Sequence, residues 1–323
     1  MGKSVHSLSM ENRARVLTPD TSACAGTFFS QERFIQAAAR AEATKVRTLK
    51  LQAANSPAYL FALERSHKFN RRSVLLAPFG LYASPIHAHG SYDCVPAFVA
   101  QLRTFWTITF HWSVRFDHND LADRLERCGL DRHEYTTQVL YLDRPYDEVF
   151  RGFSDTTRNQ IRRAERKGVM VRRATDLKDV STYYALYEKL AGQRANWGAV
   201  YPESLFFELV SLTDDVILLL TEIDSKAISG GWFFRDGNSL MYWHSVLDYE
   251  FTRYFPHYAL INHAIRLAFQ ERMSSFNMGA SLGIASLEQF KSFWGTHKVP
   301  CWWFSWANPI WASASKVRKA IAW

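Results

Sequence analysis

One literal nucleophile motif stands in the sequence: Gly279-Ala280-Ser281-Leu282-Gly283, a G-x-S-x-G between a strand pattern and a helix pattern. In that setting a serine is presented on a sharp turn for acyl chemistry. A hydrolase of this type also needs an acid and then a histidine, carried on further strands. Only 42 residues follow Ser281 and none is Asp; Glu288 falls on the adjoining helix and His297 just after it. The motif therefore reads as a tight strand-to-helix loop. Ser313-Ala-Ser-Lys316 matches S-x-x-K without its companion motifs, and neither a P-loop nor G-x-G-x-x-G occurs. His87-Ala88-His89, followed by Asp93 and Cys94, lacks a second ligand pair, so substrate contact or an ordinary loop is a simpler reading than a metal centre.

Two cationic features carry more chemistry. Arg158, Arg162 and Arg166 repeat at helical spacing along one face, leaving Ile161 and Ala164 for a core. Stacked like charges repel, so the stripe is either solvated surface or an anion clamp whose guanidinium forks match phosphate oxygens. Further on, Ile284, Leu287, Phe290 and Trp294 form an apolar helical stripe, and Lys291 falls inside it. An ammonium there is costly unless it snorkels, pairs, or faces a polar cavity where negative charge develops. The cavity reading is the one favoured.

The elements that must position these groups are legible by period. In the first half a helix follows Ser30, extended stretches run near Lys45–Leu51, Tyr59–Glu64 and Ser73–Pro78, and residues 78–93 are a Gly/Pro-rich loop. Then come a helix (Val95–Arg103), a strand (Phe105–Trp112), a helix (Leu121–Cys128) and a strand (Tyr135–Leu142). From Tyr146 a second unit starts, with a helix capped by Thr156 or Thr157 and closed by Gly168, then helices near 176–192 and 203–213. Strands follow at Asp215–Glu222, Lys226–Phe234 and Ser239–Val246, the last alternating with Leu240, Tyr242, His244 and Val246 on one face. A helix from Pro256, a strand at Ser274–Met278, a helix at Ala285–Trp294 and a strand at Val299–Trp306 complete the order. This succession predicts an α+β (α/β layered) architecture of mixed, largely antiparallel sheet flanked by helices.

Composition bounds the rest. With 323 residues, 47% apolar and 22% charged, the chain is a folded protein of two ordinary domains or one large one. The net charge of +8 suits a polyanionic partner without choosing among nucleic acid, phosphorylated substrate and anionic membrane surface. No apolar run is long enough to span a bilayer, the N-terminus lacks a signal-peptide pattern, and four scattered cysteines suit a reducing, cytoplasmic setting. The C-terminal run Ala307–Trp323 mixes Trp with Lys and Arg, as an interfacial helix would, although a docking tail is the simpler reading.

Several segments together carry a resemblance. Thr157–Val171, TRNQIRRAERKGVMV, is similar to the R-x-x-I-R-K-A-x-K-x-G-V segment of FemAB-like (BioF2-like) members of the GNAT acyltransferase superfamily. Ser286–Gly295, SLEQFKSFWG, resembles that family's FK-x-x-(F/W)-G segment after a strand with a polar residue and glycine, here Asn277 and Gly279. Pro78–Pro85, PFGLYASP, resembles its first-half loop, and Gly129-Leu-Asp131 with Thr136–Asp143 the strand before its linker.

The resemblance, over roughly residues 28–306, implies two GNAT-like domains with the acceptor between them: residues 26–145 the degenerate N-terminal one, 146–309 the better-formed one, with 1–25 and 310–323 as tails. It implies N-acyl transfer, in which an amine attacks an activated ester or thioester through a tetrahedral oxyanion. Phe290 and Lys291 correspond to the family's active-site Phe-Lys pair, Lys291 meeting oxyanion or terminal-adenosine charge, and Arg158 and Arg162 would bind phosphates. Tyr82, His244 and Arg253 are further candidate substrate contacts; Asp248, Glu250, Tyr242 and His244 are candidates for the general base.

Two departures matter. The helical-hairpin insertion of peptidoglycan-bridge enzymes is absent between Gly168 and Asp214, which weighs against that acceptor. Where coenzyme-A-dependent relatives place a glycine-rich pyrophosphate loop, this chain reads Thr252-Arg-Tyr-Phe-Pro-His257, which favours aminoacyl-tRNA over acyl-CoA as co-substrate. The expected partners are a small-molecule amine acceptor and tRNA, not DNA, with at most peripheral membrane contact and no permanently bound cofactor. A module that only binds an anionic partner is the non-catalytic alternative.

Overall fold

The computed structural model describes residues 27–52, 57–87, 92–174, 176–193 and 200–314. The tail expected at 1–25, His89 of the paired histidines, and residues 315–323 lie outside them. The first half in sequence runs α1 (Glu32–Ala41), β1 (Lys45–Gln52), β2 (Pro57–Ser66), β3 (Arg72–Leu75), α2 (Val95–Leu102), β4 (Thr107–Val114), α3 (Asn119–Arg127) and β5 (Asp131–Tyr141). The second half begins with α4 (Tyr146–Arg151), α5 (Asp155–Arg166), β6 (Met170–Arg173), α6 (Leu177–Gln193) and α7 (Glu203–Val210). It continues through β7 (Val216–Ile223), β8 (Lys226–Asp236), β9 (Ser239–Leu247), α8 (Pro256–Gln270), β10 (Ser275–Ala280), α9 (Ala285–Ser292), β11 (His297–Ala307) and α10 (Pro309–Ala314). The short strand β6 carries no apolar alternation and was not expected.

Among the described residues, all eleven strands join one mixed, mostly antiparallel sheet in the order β1-β2-β3-β4-β11-β5-β10-β9-β8-β7-β6. The expected pair of sheets is fused because the halves interleave. β11, late in sequence, pairs antiparallel with both β4 and β5, while β5 pairs on its other side with β10. The run VILLL in β7 shows why a central strand reads as continuously apolar. Val216, Leu218 and Leu220 enter the core beneath α1, α6 and α7, while Ile217 and Leu219 enter the core beneath α5 and α8. A third core lies between α2, α3 and the strands β1 to β4 and β11.

Two local expectations change. Ser154, not Thr156 or Thr157, caps α5: its Oγ accepts from the Thr157 backbone N–H at 3.2 Å, and Thr157 itself is buried. The uniform alternation of β9 is broken by a bulge, since Trp232 pairs with His244 but Phe233 pairs with Tyr242, leaving Trp243 as the extra residue. His244 therefore shares the sheet face of Trp232, and Tyr242 the opposite face, that of Phe233.

Candidate active site

β9 and β10 are parallel, yet they pair at only three positions, the last being Asn277 with Met241. Beyond it β10 bulges against β5, Gly279 takes a φ of +73°, and the pairing of β9 with β10 ends. In a sheet of this kind, the crevice outside the carboxyl ends of diverging parallel strands is where ligands enter.

The lip on the β10 side is fixed by side chains of β5. Asn277 accepts from Thr137 Oγ1 (2.7 Å) and from the Gly279 N–H (2.8 Å), and donates to the Tyr82 hydroxyl (2.9 Å). Gln138 accepts from Ser281 Oγ (3.2 Å) and donates to the Glu288 carbonyl and Thr296 Oγ1, both at 3.1 Å. Ser281 is thus buried and structural, as the loop reading of G-x-S-x-G requires. Tyr82 was a candidate substrate contact; it is instead an interior residue, 3% exposed, whose phenol burial pushes well above its usual range. Its role is to hold Asn277.

Lys291 neither snorkels nor points into open solvent. It is 4% exposed, and its Nζ donates to the carbonyls of Gly279 (2.9 Å) and Ala280 (2.8 Å), tying α9 to the end of β10. Burial pulls the ammonium down to about 8, with Glu288 opposing the shift. Phe290 packs edge-on against Tyr258 of α8, centroids 5.8 Å apart, and Tyr258 stacks on Trp294. The apolar stripe is shorter than its spacing predicts, because Ile284 precedes the helix and lies exposed.

The corner that leads into Thr157–Val171 meets the Ser286–Gly295 segment here. The Ser154 N–H donates to the Phe293 carbonyl (2.8 Å), and Phe153 and Trp294 lie 5.2 Å apart. Arg158 stiffens that corner, donating to the carbonyls of Arg151 (2.5 Å) and Phe153 (2.6 Å) and pairing with Asp155. These partners engage its guanidinium at the corner between α4 and α5. Arg162 lies over the Phe150 ring at 5.7 Å.

The cations that converge are Arg166 of that stripe and Arg253 of the candidate contacts, joined by Arg163 and Lys167, which the spacing argument passed over. Arg163, Arg166 and Lys167 at the end of α5 face Arg253 and Phe255 across an open cleft of about 330 Å³, beside the N-terminus of α8. Arg163 lies over Phe255 (5.9 Å), while Lys167 and Arg253 flank Tyr254 at 5.2 and 5.0 Å. Like charges crowded at a helix N-terminus suit an anionic ligand. His257, in the first turn of α8, contacts the Val246 carbonyl at 3.2 Å and so links this cleft to the end of β9.

Just after β9, Asp248 is buried, caps the following turn by accepting from the Glu250 N–H, and pairs with Lys189 at 2.9 Å. Glu250 shares that lysine. Burial pushes the Tyr242 phenol up to about 12, and its hydroxyl donates to Ser245 Oγ at 2.5 Å. On the other face His244 Nδ1 meets the buried Tyr183 hydroxyl at 2.5 Å within a wall of Tyr187, Tyr201 and Phe206. Among the described residues no three His, Cys, Asp or Glu side chains cluster for a metal, and no helix is long and apolar enough to cross a membrane.

Residues 151–292 match the family model described as an acetyltransferase (GNAT) domain. No curated protein sequence matches the chain. The structure of FemX is similar at a TM-score of 0.71 and 13% identity, over 91% of this chain and 96% of that one. L-PGS from Bacillus licheniformis is similar at a TM-score of 0.55 and 11% identity, over 88% and 94%. The C-terminal domain of a putative lysylphosphatidylglycerol synthetase from Agrobacterium fabrum gives 0.58 and 12%, over 83% and 86%. These likenesses are of fold.

Proposed function

We propose that this chain, whose residues 151–292 form a GNAT-type acetyltransferase domain, is an N-acyltransferase that moves an acyl group from a phosphate-bearing carrier to a primary amine. The end of β9–β10 pairing at Asn277 and Met241 carries the reading. It leaves the carboxyl ends of two parallel strands unpaired with each other, with Lys291 tied to the end of β10 and the Arg163–Arg253 cleft along the adjoining helix N-terminus.

The amine nitrogen attacks the carbonyl carbon of the donor, and negative charge gathers on the carbonyl oxygen. An ammonium has three N–H donors. Two of those on Lys291 are fixed on Gly279 and Ala280, and the third is the one assigned to the oxyanion. When the intermediate collapses, the carbon–oxygen or carbon–sulfur bond to the carrier breaks and the leaving atom takes a proton. Tyr242, which holds its proton at neutral pH, is the donor assigned to it. The amine loses its proton to His244, held by Tyr183 on the opposite face. The bulge at Trp243 thereby separates the base, on the acceptor face, from the acid, on the face of the carrier cleft.

Aminoacyl-tRNA is the carrier favoured. The segment before α8 is aromatic and basic, without the bare glycines that cradle a pyrophosphate, and one neighbour of the same fold is a domain of a putative lysylphosphatidylglycerol synthetase. Acyl-CoA is the second reading, since the same four cations suit its phosphates. A ligand that binds only the native state raises the melting temperature, by about 2.7 kcal/mol of stability at a hundred times its Kd. Charged tRNA is expected to shift melting where acyl-CoA thioesters do not. A shift by the thioesters alone overturns the carrier, and a shift by neither overturns the enzyme.

A further inference from the structure

Three connections at the far end of β11 from Lys291 bring apolar side chains together: exposed Phe69 in the β2–β3 turn, exposed Phe105 and Trp106 before β4, and exposed Ile310 with half-buried Trp311 opening α10. Phe105 lies 4.9 Å from Trp106 and 5.3 Å from Trp311, whose indole Nε1 donates to the Phe105 carbonyl at 2.7 Å. The Arg71 guanidinium sits 5.1 Å from the Trp311 ring and 5.5 Å from Phe69, joining the set into one patch. Phe69 is 79% exposed, Ile310 56% and Phe105 51%. A contiguous apolar patch on an otherwise charged surface marks a contact site.

The charge around it is one-sided. Residues 67–71, 103–107 and 308–314 contain no Asp or Glu, and they carry Lys68, Arg71 and Arg103. The nearby carboxylates Glu64 and Glu42 are paired with Arg47 and Arg65. Cations interleaved with Trp, Phe and Ile are the chemistry of the bilayer interface, where rings sink to the headgroup level and ammonium and guanidinium groups meet lipid phosphates. Single-stranded nucleic acid is disfavoured as occupant: the rings meet edge-to-face, at 86° and 65°, and offer no parallel stack for bases, and Ile310 has no use there.

We propose that this rim docks the protein on an anionic lipid bilayer. The inference stands apart from the acyl-transfer reading, because β11 separates Val299, beside Thr137, from Ala307 at the rim by about 26 Å of strand.

The test is co-sedimentation of the full chain with vesicles of phosphatidylcholine alone or mixed with phosphatidylglycerol. Binding to the mixed vesicles, weakened by salt, is expected. Phe69→Ser with Ile310→Ser is expected to lower that affinity at least about tenfold with the melting temperature unchanged. Arg71→Gln, which keeps the rings, is expected to lower binding to the mixed vesicles only. The proposal is overturned if the chain ignores the mixed vesicles or if the double variant binds them as well as the parent. It is also overturned if the rim variants abolish self-association or tRNA binding and leave vesicle binding intact.

Discussion

Lys291 Nζ lies 2.9 Å from the carbonyl oxygen of Gly279, so the buried ammonium of α9 holds β10 just beyond its last pairing with β9. Burial draws its pKa down from 10.5 to about 8. The unfolded chain keeps that proton to near pH 10.4, so between pH 8 and 10.5 the unfolded state binds more protons than the folded one. Stability attributable to this group therefore rises with pH across that window. Measured by urea denaturation, the wild-type chain should gain about 2 kcal/mol relative to Lys291→Met between pH 8 and pH 10. Parallel pH curves for the two proteins would show that the ammonium is not depressed.

The same side chain carries the chemical claim. Losing one preorganised donor to an oxyanion costs on the order of a hundredfold in kcat. Lys291→Ala should show such a loss in single-turnover assays, with KM for the amine little changed and far-UV circular dichroism intact. Undiminished turnover removes Lys291 from the mechanism and leaves it a tie between helix and strand.

Arginines on α5 should separate by function. Arg163→Glu or Arg253→Glu reverses charge in the cleft and should raise KM for the carrier about tenfold or more, with a shallower salt dependence. Arg158→Ala should leave carrier affinity alone and lower stability by about 1–2 kcal/mol, because its hydrogen bonds hold the α4–α5 corner. Equal effects of the two classes on KM would return the clamp to Arg158.

Period and punctuation disclosed most of the scaffold. Helices with one apolar face and the two-faced strand β7 are written in the spacing of their apolar residues. The fusion into one sheet is not, because the pairing of β11 with β4 and β5 joins residues far apart in sequence through backbone groups common to every residue. Lys291 was legible as an ammonium out of place on an apolar stripe. Its partners were not, being two backbone carbonyls that no residue type advertises. Likewise the spacing of Arg158, Arg162 and Arg166 describes one helix face and carries no information about α8. The cleft uses Arg163 and Lys167 because Arg253, from another element, lies across from them.

The bulge at Trp243 places His244 and Tyr242 on opposite faces of β9, and this separates their kinetic signatures. A base on the acceptor side governs the step in which the amine loses its proton, so His244→Gln should abolish the acidic limb of the kcat/KM profile for the amine. Tyr183→Phe removes the hydroxyl that holds the imidazole; it should displace that limb without abolishing it. Tyr242→Phe should act on the other half of the reaction. Its cost should grow as the leaving group becomes more basic, and should nearly vanish for an activated ester whose leaving oxygen needs no proton. Were His244→Gln to keep the acidic limb while Tyr242→Phe lost it, the base and the acid would have to exchange faces, and the amine would enter from the side of α5 and α8.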